Sequence, residues 1–212
     1  MGQSPIELYE TDALTLACGT DLFEIDYPKD CKISGKFKTE KGHANFLVDP
    51  PEKDHFPELT FRGTRYQLAK IHLHTHPEHV VGEGEQAKYE IHLIHVPKRG
   101  GAAPSPLVVI GILYTLDEKA PANPGVKCLC NKIKINPIDF FPLLEDGQTD
   151  LVNWYHYEGS LTTFPYSENV SWFVMRDRGS ITNAEIAPLQ TGEPQDYRKV
   201  QPLDRRLIVR SF

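Results

Sequence analysis

Nine histidines occur in this 212-residue chain, and three of them stand at spacings that suit a metal ion. In Lys70-Ile71-His72-Leu73-His74-Thr75-His76, Ile71, Leu73 and Thr75 alternate with the lysine and the histidines, the period of a strand. Alternate strand residues share a face and stand roughly 6.6 to 6.8 Å apart, so His72 and His74 can converge on one ion. Glu90-Ile91-His92 lies in a second apolar, strand-like run, Tyr89 to Val96, after a plausible reversal at Val81-Gly82-Glu83-Gly84. A third imidazole from His92 on a neighbouring strand gives three nitrogens and leaves a fourth position open, the ligand set of a catalytic zinc site. Glu90, two residues before His92 on the same face, can accept a hydrogen bond from that ring's second nitrogen and so fix its tautomer and basicity.

The elements that must hold these residues are mostly short strands. Residues 13 to 48 read as strands broken by Asp, Gly and Lys clusters, and residues 49 to 54 as a loop. Phe61-Arg62-Gly63 leads into the histidine strand. Residues 97 to 106, rich in Gly, Ala, Pro and Ser, read as a loop, and Leu107 to Leu116 is a continuous apolar run, hence a buried strand. Pro121 to Gly125 breaks the chain again, and Asn136 to Leu144, with Pro137 early, suits one or two helical turns. Trp154 to Tyr157 and Val170 to Met175 read as strands, and Thr182-x-x-Glu185 is a capping box for a short helix. No repeat or low-complexity tract interrupts this pattern. Many short strands with few helices define a mostly β chain built on a predominantly antiparallel sheet with short peripheral helices.

At 40% hydrophobic residues the chain can bury one substantial core, so residues 1–212 are taken as a single domain. No apolar run approaches the roughly 20 residues of a membrane span. The net charge of −6 comes without a basic stripe, which argues against nucleic acid as a partner. Cys18, Cys31, Cys128 and Cys130 give no clear disulfide framework, and Cys128-x-Cys130 is too close for an easy bridge within an extended strand. Such thiols favour a reducing, cytoplasmic compartment. Met1-Gly2-Gln3 enters the fold without a signal peptide, although a leader removed before Met1 would equally allow a secreted or periplasmic protein. Oligomeric state is left open.

His-x-His alone is a weak signal, because surface strands often alternate polar residues; the third His and the Glu at strand parity strengthen it. His72-x-His74-x₃-Glu78 also resembles the first metal motif of cupins, but Gly63 and Gly84 do not fall at the spacings that pattern requires. Other segments decide against it. Gly159-Ser160-Leu161-Thr162-Thr163-Phe164-Pro165 followed by Val170-Ser171-Trp172 resembles the Gly-Ser-Leu-Thr-Thr-Pro-Pro…Val-Thr-Trp segment of the α-class carbonic anhydrases. Gln3-Ser4-Pro5, Gly42-His43-Ala44, Val109-Ile110-Gly111-Ile112 and Gln201-Pro202-Leu203 are similar to further family segments, in the family's order, from Gln3 to Phe212.

The resemblance implies a large twisted central sheet with zinc at the base of a cone, held by His72, His74 and His92. It implies reversible hydration of carbon dioxide to bicarbonate and a proton by a zinc-bound hydroxide. Thr162 matches the threonine that orients the hydroxide while donating to a carboxylate, here Glu78. Ile94, Val109, Leu161, Val170 and Trp172 match the apolar wall beside the metal, with Thr163 also in the substrate pocket, and His43 matches a solvent-facing proton shuttle. Of the surplus histidines, His76 shares the ligand face without being a ligand, His79 is a structural hydrogen-bonder near Glu78, and His95 faces away. A cis Ser4-Pro5 bond is expected, and Tyr166 replaces the second cysteine of the family's secreted disulfide.

This chain also departs from the pattern. By the resemblance, the family segment before Gln-Ser-Pro is expected to be absent, Thr75 replaces a Trp, Phe164 a Pro, and Lys41 and Phe46 stand where asparagines hold relay waters. Lys70 stands where a glutamine carbonyl usually accepts the N–H of the first histidine, and an ammonium has three donors and no acceptor. It is expected to point towards a carboxylate or solvent. Retention of all three histidines favours the enzyme over the alternative, a catalytically weak or silent relative serving as a binding or scaffold protein.

Overall fold

The computed structural model describes residues 2–16, 22–28, 31–40, 42–50, 56–83, 87–98, 106–123, 126, 138–139, 151–187 and 197–212. In chain order the strands are β1 (Glu7–Leu8), β2 (Ala13–Thr15), β3 (Phe23–Asp26), β4 (Lys32–Ile33), β5 (Gly35–Glu40), β6 (His43–Val48), β7 (Glu58–Phe61) and β8 (Thr64–His74). There follow β9 (Val80–Val81), β10 (Tyr89–Pro97), β11 (Leu107–Leu116), β12 (Ile138–Asp139), β13 (Trp154–Gly159), β14 (Val170–Met175), β15 (Gly179–Ile181) and β16 (Ile208–Arg210), with one described α-helix, α1 (Asn183–Ile186).

Twelve of these strands form one sheet in the order β2-β16-β13-β14-β11-β10-β8-β6-β5, with β15 beside β11 and with β7 joining β8 to β3. Within it β11 runs parallel to β14 and β15, and β16 parallel to β2; the other pairs are antiparallel. The continuous apolar run of β11 has a physical reason. Val108, Ile110 and Ile112 pack into the larger core with Ile71, Leu93 and Phe173, while Val109 and Leu113 pack on the opposite face with Tyr157 and Trp172. A strand covered on both faces has no solvent side to keep polar.

The register places residues in rows on the second face. Asn45 on β6, His72 on β8, His92 on β10 and Gly111 on β11 are successive cross-strand partners. One row along, Lys70, Ile94, Val109, Trp172 and Tyr157 are likewise paired.

Two expectations are corrected. The histidine strand ends at His74 rather than running to His76; Pro77, which has no N–H for a ladder, lies in the turn that follows. His76 therefore leaves the ligand face and stacks on Tyr197, ring centroids 5.0 Å apart. The helical turns expected over 136–144 are not found at Ile138–Asp139, which pair as a strand with Lys32–Ile33; the rest of that segment lies outside the described residues, as do Cys18, Cys128, Cys130, Lys41 and most of the 97–106 and 49–54 loops. The Ser4-Pro5 bond is cis, as is Phe164-Pro165. The capping box forms, with the Thr182 hydroxyl accepting from the Glu185 amide and the Glu185 carboxylate accepting from the Thr182 amide at 2.9 Å.

His95 faces away from the histidine row, fully buried. Its Nδ1 lies 3.3 Å from the Val108 carbonyl, which can only accept, so Nδ1 carries the proton and Nε2 accepts from the Tyr27 hydroxyl at 2.6 Å. Burial lowers the His95 pKa from 6.5 to about 3. The unfolded chain therefore binds a proton that the folded one refuses, so stability is intact above pH 6.5 and falls progressively towards pH 3. The loss is on the order of 5 kcal/mol at full extent. A His95→Gln variant, which keeps both hydrogen bonds without titrating, is expected to flatten the acid limb of a denaturation-versus-pH curve. Parallel limbs for the two proteins would contradict this reading.

Candidate metal centre

β8 and β10 set His92 directly opposite His72 and Glu90 opposite His74. Ring centroids are 4.3 Å apart for His72 and His74, 4.5 Å for His74 and His92, and 6.0 Å for His72 and His92. His43, at the start of β6, joins them at 4.8 Å from the His72 ring and 4.9 Å from that of His74. Potential ligand atoms of His43, His72 and His74 lie within 4.8 Å of one another, and so do those of His74, Glu78 and His92, so His74 is common to both groups. All these side chains are buried.

Glu90 sets the tautomers. Its Oε1 receives His92 Nε2 at 2.8 Å and His79 Nδ1 at 2.7 Å, and its Oε2 receives the amides of Glu78 and His79 at 2.8 and 2.9 Å. Burial alone would raise this carboxyl; the charges and hydrogen bonds of His79 and His92 outweigh it and hold the pKa well below the carboxylate range. An ionised carboxylate only accepts, so His92 Nε2 carries the proton and Nδ1 presents a lone pair. Gly111 makes room for this arrangement, because a Cβ there would stand 3.0 Å from Glu90 Oε1.

His72 Nε2 and both ring nitrogens of His74 are buried without a hydrogen-bond partner. Each such group costs about 1–3 kcal/mol if nothing satisfies it. Burial, and then the neighbouring imidazoles together with Lys70 beside His72, hold His72 and His74 well below the usual histidine pKa. They are neutral, the form that ligates metal. Orphaned, neutral, converging nitrogens fit a borderline-soft divalent cation such as zinc.

Glu78 lies in the turn after β8, with Oε2 3.4 Å from His74 Nε2 and Oε1 accepting from the Arg198 amide at 3.1 Å. Burial raises its pKa to about 7 against the opposing hydrogen bonds from Thr162 and Arg198. Ile94, Val109, Leu161, Val170 and Trp172 come together in one apolar cluster. Trp172 connects that wall to the ligands, its ring 4.9 Å from His92, and its Nε1 donates to the Ser160 carbonyl at 3.0 Å. Thr163, partly exposed, follows Thr162 in the loop after β13.

The structure changes the reading at two positions. His43, expected to face solvent, is 2% exposed and packs edge-on against the His72 and His74 rings. Phe46, expected where a relay asparagine stands, turns into the larger core, while Asn45 occupies the His72 row; a one-residue change of parity exchanges the two faces. Arg198, Asn45 and Tyr157 were missed as contributors around the centre. Tyr157 and Arg198 carry no local pattern that links them to it.

Residues 1–212 match the family described as eukaryotic-type carbonic anhydrase, and the chain belongs to that family. It is 32% identical to a carbonic anhydrase of Nostoc sp. over 73% of this chain, which spans 57% of that relative's length. It is 26% identical to alpha carbonic anhydrase 3 of Arabidopsis thaliana, covering 97% of this chain and 73% of the relative. Among solved structures, the fold is similar to α-carbonic anhydrase from Thermovibrio ammonificans in complex with the inhibitor sulfanilamide, with TM-score 0.75 and 22% identity over 98% of this chain and 86% of the other. It is also similar to dioscorin complexed with ascorbate, with TM-score 0.80 and 22% identity over 99% and 85%. At that identity the structural likeness shows the fold.

Lys70 is partly buried opposite Ile94, and burial lowers its pKa while Glu40 opposes the shift. Its charge adds to the repulsion a cation at His72 would meet. Lys70→Gln removes that charge and supplies an acceptor, and is expected to tighten zinc in a competition titration, by less than the 10- to 100-fold typical of such supporting groups, on the order of several-fold. Unchanged or weaker binding would show that Lys70 does not oppose the metal.

Proposed function

We propose that this protein catalyses reversible hydration of carbon dioxide to bicarbonate and a proton, with zinc held by His72, His74 and His92. The observation that carries the reading is the convergence of orphaned imidazole nitrogens beside an apolar wall and the Thr162–Glu78 pair. Zinc bound there supplies a Lewis acid that makes water acidic near pH 7, as is known for carbonic anhydrases.

The chain's own residues account for the rest. Glu90 fixes the His92 ring with Nδ1 turned from the carboxylate. The Thr162 hydroxyl has a single proton; with that proton given to Glu78, its oxygen is left as an acceptor and can aim a water hydrogen. The wall of Ile94, Val109, Leu161, Val170 and Trp172 offers no hydrogen bond, which suits a small apolar substrate and leaves it free to approach along one direction. A proton-carrying role for His43 requires it to leave its buried position.

Zinc content and carbon dioxide hydration measured on one purified sample test the reading. One zinc per chain and rapid hydration are expected, with both lost in His92→Ala. Thr162→Val should keep the zinc and lose about 10²-fold in rate, the scale of a misoriented reactant. Stoichiometric zinc without hydration in the parent protein would favour the binding or scaffold reading instead.

A further inference from the structure

We infer that Lys70 is an anion-binding residue, whose ammonium holds bicarbonate beside the histidine centre as it arrives or leaves. The inference rests on the hydration proposed above and gives its anionic product a place on the protein.

The sheet sets the placement. Lys70 precedes His72 by two residues on β8, and strand parity puts both side chains on the same face. As His72 lies between Asn45 on β6 and His92 on β10, so Lys70 lies between Leu47 and Ile94. Ile94 belongs to the apolar wall, so the lysine stands where that wall meets the histidines. Farther out, β5 carries Lys36 opposite Leu47, Lys38 opposite Asn45 and Glu40 opposite His43, all on this face. The charge of Glu40 is felt at Lys70, and that of Lys70 at His72, so the ammonium lies towards the histidines.

Lys70 has no partner of its own. Among the described residues, no carboxylate stands within ion-pair distance of its ammonium, and Glu40 is engaged by Lys38 at 2.5 Å. The side chain is partly buried, and an ammonium brings three donors and no acceptor. Drawing such a group out of water without a partner is costly.

An anion at the mouth of the centre removes that cost. Bicarbonate offers oxygens to the three donors and a charge of the opposite sign. Carbon dioxide, small and apolar, gains nothing from the ammonium and has the wall instead. The charge that opposes a cation at His72 therefore attracts an anion to the same opening, and Lys70 distinguishes product from substrate.

Anion titration of the cobalt-loaded protein, followed in its visible spectrum, tests this on the parent, Lys70→Gln, Lys70→Met and the charge-keeping Lys70→Arg. Bicarbonate and thiocyanate are the anionic probes, and neutral imidazole is the uncharged one. Dissociation constants of both anions should rise about three- to tenfold in the Gln and Met variants, between the scale of an exposed ion pair and that of a hydrogen bond to a charged group. They should stay near the parent value in Lys70→Arg. Imidazole should bind all four proteins alike, which a general disturbance of the centre would not allow. Inhibition of hydration by added bicarbonate should weaken by the same factor as bicarbonate binding. Equal anion affinity in the parent, Gln and Met proteins, or an equal loss for imidazole, would overturn the role of Lys70 and leave the histidine centre standing. Failure of the parent protein to bind cobalt or zinc would overturn the metal reading and this one with it.

Discussion

The carboxylate of Glu90 is the interaction on which the centre depends. It is fully buried and receives four donors, two from imidazole rings and two from the amides of Glu78 and His79. Charged and buried, it is tolerable only because every oxygen is occupied. Those same bonds fix the His92 tautomer, fold the turn after β8 back onto β10, and bring the Glu78 side chain to His74. The network continues outward, since His79 Nε2 lies 2.7 Å from the Tyr157 hydroxyl, itself 2.9 Å from Ser4 Oγ. Ser4 and Ser160 then exchange amide-to-hydroxyl bonds at 2.9 and 3.0 Å, tying the N-terminal segment to the loop that carries Thr162.

Around that network the sheet acts as a coordinate frame. Strand parity separates a large apolar core from a face on which histidines, a glycine and an apolar wall stand in adjacent rows. Gly111 shows how narrow the tolerance is, because a Cβ there would crowd Glu90 Oε1 at 3.0 Å. Arg198, remote in sequence, closes the other side by donating its amide to Glu78 and its guanidinium to the Ser4 carbonyl at 2.9 Å, while stacking over Tyr166.

Much of this was legible in the chain. Period two revealed the alternate histidines, a second strand supplied His92 and Glu90, and the unbroken run from Leu107 to Leu116 announced a strand covered on both faces. The capping box at Thr182 forms for the reason its sequence pattern suggests. What escaped was what parity and distance in sequence conceal. Asn45 and Phe46 are neighbours, and only the register with β8 decides which of them faces His72. His76 fits the histidine period but lies past the strand end. His43 reads as a solvent-facing histidine until β6 folds it against His72 and His74, and nothing local in the chain links Arg198 to Glu78.

The central claim is that a buried, four-fold satisfied carboxylate holds His92 ready for zinc. Calorimetric titration of the metal-free protein and of Glu90→Gln with zinc tests it most directly. The account predicts one site per chain, weakened about 10- to 100-fold in the variant, because the amide can no longer accept both imidazole N–H groups at Oε1 and receive two backbone amides as well. Equal zinc affinity in the two proteins would contradict it.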